Sequence, residues 1–347
     1  MTDSQKTDIN NTTATESGFP RVPLETDAAA AEEVTGPESG LWRDAWRQLI
    51  RNPAFIVGGL LILGYAFMAL FPQVIAPQGT GRALCDTGAG AQPPSREFIF
   101  GLDEKGCPYY PRVIYGVRPS LIIGPSVAVF SLTIALIFGT IAGYYGKFTD
   151  TVIARITDVF LALPTILAAL VFITAFRNAS PDDPTVSWPL RFLSGVFEVF
   201  DDFTGVRGIG LVVFILTLLG WTTMLRLARS SALSTKNADY VEAARALGAS
   251  DFRIMTRHIL PNSLAPVLVY ATITVGVAIV AEATLSFLGV GLKVPAVSWG
   301  LQLSVAQGRL QNDPHLMFFP GIFLAGLVFS FILIGDAVRD ALDPKLR

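Results

Sequence analysis

The side chains able to do chemistry are few and scattered. Two cysteines, Cys85 and Cys107, and two histidines, His258 and His315, are the only residues of their kinds in 347 positions. They fall in no zinc or iron–sulfur spacing, so the sequence offers no metal site. No Gly-x-x-x-x-Gly-Lys-Ser/Thr phosphate loop occurs, so the chain has no means of its own to cradle a nucleotide triphosphate. The carboxylate that stands out is Glu282, well inside an apolar run, where a lone charge costs about 2.5–3.5 kcal/mol on insertion scales. Two readings of Glu282 are open. It meets the amino group or cation of a solute on a water-filled path, or it makes a structural hydrogen bond inside a bundle or near its outer end.

What must position these residues is a set of membrane spans. Half the chain is hydrophobic (51%), only 16% is charged, and the mean hydropathy is +0.51. Soluble domains carry nearer ~25% charged residues. The apolar excess falls in six blocks, 54–76, 121–142, 152–176, 209–227, 264–291 and 318–336. Each has roughly the ~20 residues a helix needs to cross the hydrocarbon. The expected fold is an all-α polytopic membrane protein with six transmembrane helices. The third block is the least regular: Arg155 and Asp158 sit in its first turns and Pro164 interrupts it. Asp158, like Asp336 near the end of the sixth block, reads as an interfacial anchor. Net charge is −2 without a basic cluster, which argues against a nucleic-acid partner.

The first forty residues are of a different kind, with eight acidic and two basic residues and no apolar run. Lacking the basic start and apolar core of a signal peptide, residues 1–40 read as a disordered cytoplasmic tail. Residues 41–53 follow as an amphipathic interfacial helix, with Arg43, Arg47 and Arg51 set against Trp42, Trp46 and Ile50. Placing this end inside makes 41–53, 143–155, 226–263 and 337–347 the inner segments, with 14 Lys/Arg in 75 positions. The outer segments, 77–120, 177–208 and 292–317, hold 10 in 102. That bias puts both termini in the cytoplasm. Cys85 and Cys107 then share the external loop 77–120, where an oxidising exterior would allow a disulfide; two unrelated thiols are the alternative. Ser298-Trp299-Gly300 reads as a short interfacial helix, with Trp299 marking the interface.

The cytoplasmic connector 228–262 is punctuated more heavily than a hairpin requires. Asp239 and Glu242 fit a capping box, which starts a helix at about Tyr240. Helix formers continue through Leu247, and Gly248 supplies a left-handed C′ residue. Ser250 caps a second short helix with Phe252, Met255 and Ile259 on one face, and Pro261 ends it. Val241, Ala244 and Leu247 form a small apolar face, with Arg245, Arg253 and Arg257 at its margin and His258 as a surface contact. On these features alone, a docking element and a plain interfacial hairpin are equally admissible.

Glu242-Ala243-Ala244, Gly248 four residues later and Leu260-Pro261 beyond it resemble the EAA loop of permease subunits of ABC-type importers. Ile114-Tyr115-Gly116 with Arg118 resembles the dipeptide/oligopeptide/nickel permease group, C-type subunit. So do the stretch from Ala281 to Gly291 and the close from Ile334 to Pro344. The resemblance runs over roughly 41–347. One stretch departs from it: where the group commonly has Gly-Thr-Asp and Gly-Arg-Asp, this chain has Gly101-Leu102-Asp103 and Gly106-Cys107-Pro108. The resemblance implies a type I importer permease, a non-catalytic transport subunit that forms half of a path for di- and oligopeptides. Within this group nickel or another small solute is the alternative cargo, and an ion-coupled secondary transporter is the rival from another class. The implied partners are a second, B-type permease subunit, two ATPase domains that bind the ATP and magnesium, an external substrate-binding protein and the lipid bilayer. The ATPase-coupling residues it implies are Glu242, Ala243, Ala244, Leu247, Gly248, Leu260 and Pro261.

Overall fold

A computed structural model describes residues 41–80, 85, 86, 88, 90–177 and 187–342. The acidic segment 1–40 and Asp343-Pro344 of the terminal motif lie outside the described residues. Residues from Asp44 onward form one unit. Among the described residues β pairing is limited to two isolated bridges, Gln92–Leu102 and Leu102–Pro108. The rest of the regular structure is helical.

Helix α1, Leu41–Arg51, precedes α2, Pro53–Leu70. Asn52 stops one and starts the other: its side chain accepts from the Ala54 N–H at 2.9 Å, and Pro53 takes the first helical position, where no N–H is needed. After the short α3, Pro72–Ile75, comes the external loop. It leads into α4, Tyr109–Tyr115, and α5, Val117–Tyr145. Then follow α6, Lys147–Ala162; α7, Thr165–Phe176; α8, Trp188–Thr204; and α9, Ile209–Lys236. The chain closes with α10, Asp239–Ala246; α11, Asp251–Ile254; α12, Leu260–Phe287; α13, Trp299–Ala306; and α14, His315–Leu342. Five of the helical runs are long and apolar enough to span a membrane, and a sixth forms if α6 and α7 are taken together.

The third span departs from the single helix expected over 152–176. It consists of α6 and α7, set at 90° to one another. Leu163, before Pro164, sits in the extended region at φ −82° and ψ 127°. The proline ring disfavours helical geometry in the preceding residue and supplies no N–H, which is enough to turn the chain here. Pro125, Pro266 and Pro320, by contrast, lie within unbroken helices. Helix α8, in a stretch read only as an outer segment, is a second departure. Gly205, at φ +68°, ends it, and the Asp201 carboxylate then accepts from the Gly208 and Gly210 N–H groups at 2.6 and 2.7 Å. The carboxylate thus satisfies orphan donors at the start of α9.

The central contact is α5 against α9, where small residues let the backbones meet. A Cβ on Gly139 would lie 2.6 Å from that of Ala228, and one on Gly143 2.7 Å from that of Ala232. Ion pairs tie α6 to the same helix: Asp158–Arg226 at 2.7 Å, and Asp150–Arg229 through two contacts, one of them 2.6 Å. At the opposite end of the bundle Cys85 and Cys107 form a disulfide, with S–S 2.01 Å. Asp103 orders the loop it closes, accepting from the N–H groups of Lys105 and Cys107 and pairing with Arg112 at 2.9 Å. Trp299 does not mark an interface as expected. It is wholly buried, and its Nε1–H donates to the Val113 carbonyl at 2.8 Å, fastening α13 to α4.

Candidate coupling loop and the buried carboxylate

The loop between α9 and α12 is built as two short helices on a shared apolar anchor. Helix α10 begins at Asp239, one residue before the expected start. No side chain caps it, so the capping-box expectation fails in its hydrogen bonding. Asp239 and Glu242 still place two acidic groups on its first turn, where the helix dipole favours them. Its end is a Schellman turn. The Gly248 N–H donates to Arg245 O and the Ala249 N–H to Ala244 O, both at 3.0 Å, with Gly248 at φ +79°. A side chain at Gly248 would meet strain from the backbone, not from its neighbours, because the space around it is open.

Ser250 sits at the expected cap position of α11 but makes no side-chain cap bond. Pro261 does not end the second helix: α11 runs through a π turn, Met255–Ile259, directly into α12, and Pro261 lies in the first turn of that helix. The Leu260 N–H bonds to Met255 O, the i→i+5 pattern of that turn. Val241, Ile254 and Ile259 pack with Tyr144 and Ala232 in one buried cluster. Around it, the Tyr144 hydroxyl bonds Asp251 at 2.5 Å and the Lys236 ammonium donates to Tyr144 O at 2.5 Å.

This anchoring redistributes the faces read from the sequence. Val241 is fully buried while Leu247 is 88% exposed, so the two do not share a face. Phe252, expected beside Ile259, is 73% exposed. Glu242, Ala243, Arg245, Gly248, Arg253, Arg257 and Pro261 are exposed; Ala244, Leu260 and His258 are half-buried. Phe252 was the residue missed as a surface contact. Its signal was the five-residue spacing of Ile254 and Ile259, which a regular helix cannot place on one face.

Glu282 lies near the far end of α12, with none of its surface exposed. The Ser286 hydroxyl donates to Glu282 Oε1 at 2.8 Å and itself accepts from the Leu292 N–H at 3.0 Å. Ser120 from α5 and Ser298 before α13 lie near the carboxyl group, whose Oε2 has no hydrogen-bond partner among the described residues. The surroundings are hydroxyls from three chain segments, enclosed within this subunit rather than turned to an open surface. The arrangement favours the structural hydrogen bond over contact with a passing solute.

A bent, all-helical bundle with an EAA loop defines the membrane-spanning part of an ATP-driven transporter. Residues 135–347 match the family described as binding-protein-dependent transport system inner membrane component, and the chain belongs to it. Residues 40–94 match the N-terminal TM domain of oligopeptide transport permease C. The oligopeptide transport system permease protein OppC of Bacillus subtilis is 33% identical over 94% of this chain and 96% of its own length. The dipeptide transport system permease protein DppC of Alkalihalophilus pseudofirmus is 36% identical, over 88% and 90%. A putative peptide transport system permease protein of Brucella abortus is 39% identical, over 87% and 91%. The inward-facing MetNI methionine ABC transporter shares the fold at TM-score 0.50 and 20% identity, over 67% of this chain and 98% of that one. The protein is a multi-pass component of a bacterial inner membrane.

Proposed function

We propose that this chain is one of two permease subunits in an ATP-driven importer of di- and oligopeptides, and that 239–262 is where an ATPase docks. The peptide cargo is read from the relatives, whose names specify oligopeptide and dipeptide transport. A B-type permease subunit completes the path, an external binding protein delivers the cargo, and two ATPase domains below bind ATP and magnesium. The chain itself contributes no catalysis. The start of α2 and the end of α14 lie on the ATPase side.

One observation carries the docking assignment: Leu247 and Phe252 are exposed on a loop whose own apolar interior is already complete. Exposed large side chains on a rigid, internally satisfied element are what a partner groove requires. Glu242 pairs with a basic group of the ATPase, Ala243 and Ala244 allow close approach, and Gly248 sets the angle between the two helices. Leu260 and Pro261 return the chain to the membrane. Closure of the ATPase dimer then moves the attached spans as rigid bodies.

The test is co-purification of the subunit with its ATPase partners, followed by uptake of labelled tri-alanine into vesicles. Gly248→Pro, Ala244→Glu and Leu247→Asp leave the subunit in the membrane but abolish ATPase retention and uptake. Normal retention and uptake in all three variants would sink the assignment.

A further inference from the structure

The run from α11 through α12 is continuous from Asp251 to Phe287, 37 residues. At about 1.5 Å per residue that is a rod of roughly 55 Å. It begins two residues after the Schellman turn of the coupling loop. Its far end is locked to the loop that follows. Val290 and Gly291 both donate to Leu285 O, at 3.0 and 2.8 Å, and the Leu292 N–H donates to Ser286 Oγ. Gly291 lies so close that a Cβ there would fall 2.3 Å from Ser286 Oγ. Segment 288–292 therefore moves with the end of α12.

Arg177, the first residue after α7, grips this segment. Its guanidinium donates to Val290 O and, at 2.6 Å, to Gly291 O. No carboxylate pairs with it among the described residues, and burial pulls its pKa below the ordinary value. Bonds from a guanidinium that has lost part of its water are among the stronger ones a loop can make. The other end of α7 is the 90° break at Leu163-Pro164, beyond which α6 is ion-paired to α9. Both halves of the third span thus lie against α9, α6 through its ion pairs and α7 through Ala169 and Ile173, and Arg177 adds a separate tie from the end of α7 to the end of α12.

We infer that Arg177 is a positioning residue of the transport cycle: it fastens α7 to the far end of the α11–α12 rod, so that a push at the coupling loop reaches the outer half of the third span. This rests on the transport reading for its purpose, but the fastening itself can be measured without cargo.

The experiment uses the assembled complex with spin labels introduced by Leu167→Cys on α7 and Val277→Cys on α12, both positions exposed. With Arg177 present the α7–α12 distance distribution is narrow, and it stays so when the complex is trapped with ADP-vanadate. Arg177→Ala broadens it or shifts it by more than about 2 Å, the scale of helix shifts in such transitions. Tri-alanine uptake per ATP hydrolysed falls about tenfold, as removal of a charge-assisted bond predicts. Arg177→Lys, keeping a donor, restores most of the coupling, and Gly291→Ala, which displaces the acceptors, reproduces the loss. An unchanged distance distribution in both Arg177→Ala and Gly291→Ala overturns the inference. A wild-type complex that neither hydrolyses ATP nor takes up peptide overturns the transport reading instead, while the distance still decides the fastening.

Discussion

Ile254 and Ile259 stand five residues apart and are both completely buried against Tyr144. A regular helix turns 100° per residue and would set them about 140° apart. The π turn between them adds the extra residue that brings both onto one face. The coupling loop is therefore pinned to the end of α5 by a device that leaves Phe252 pointing outward.

Replacing Ile259 by Ala removes a fully buried side chain at the base of the loop, a loss of about 2–5 kcal/mol. The purified subunit should melt at a lower temperature, and ATPase retention should fall in parallel. Phe252→Ala, at an exposed position, should lower retention while leaving the melting temperature in place. Equal melting losses in the two variants would show that the faces are assigned wrongly.

Glu282 gives a contrast between shape and charge. Glu282→Gln keeps an acceptor for Ser286, so uptake and melting temperature stay near wild type. Glu282→Leu strands the buried hydroxyl of Ser286 and costs about 1–3 kcal/mol. Thermal melting in detergent and vesicle uptake check both. Uptake abolished by Gln at an unchanged melting temperature would return Glu282 to the cargo path.

The Cys85–Cys107 bond spans 22 residues of an otherwise irregular loop. Closing a loop of that size contributes ~3 kcal/mol in the chain-entropy account. Cys85→Ser together with Cys107→Ser should leave the spans folded but make the segment before α4 sensitive to external protease. Protection equal to wild type would mean that the Asp103–Arg112 pair and the Asp103 turn suffice alone.

Much of the architecture was legible because hydrophobic runs of span length have one outcome in a bilayer, where backbone groups must bond internally. Gly248 was legible for an equally local reason, since a left-handed residue after a helix former stretch is a role glycine fills without strain. Pro164 stood out in sequence as the interruption of the third block, but only the structure shows that the interruption is a 90° turn. Other features depend on distant residues. Trp299 looked like an interface marker because tryptophan favours interfaces, yet the Val113 carbonyl, 186 positions away, gives its N–H a buried partner.

The sequence by itself determined the number of apolar blocks, their approximate bounds and the place of the EAA-like loop between two of them, all properties carried by runs and spacings of neighbouring residues. Tertiary structure alone decided which face of that loop is free, that Glu282 is enclosed by serines, and that Arg177 holds the end of α12. Those depend on which helices pack together, and packing is settled by shape complementarity between segments far apart in the chain.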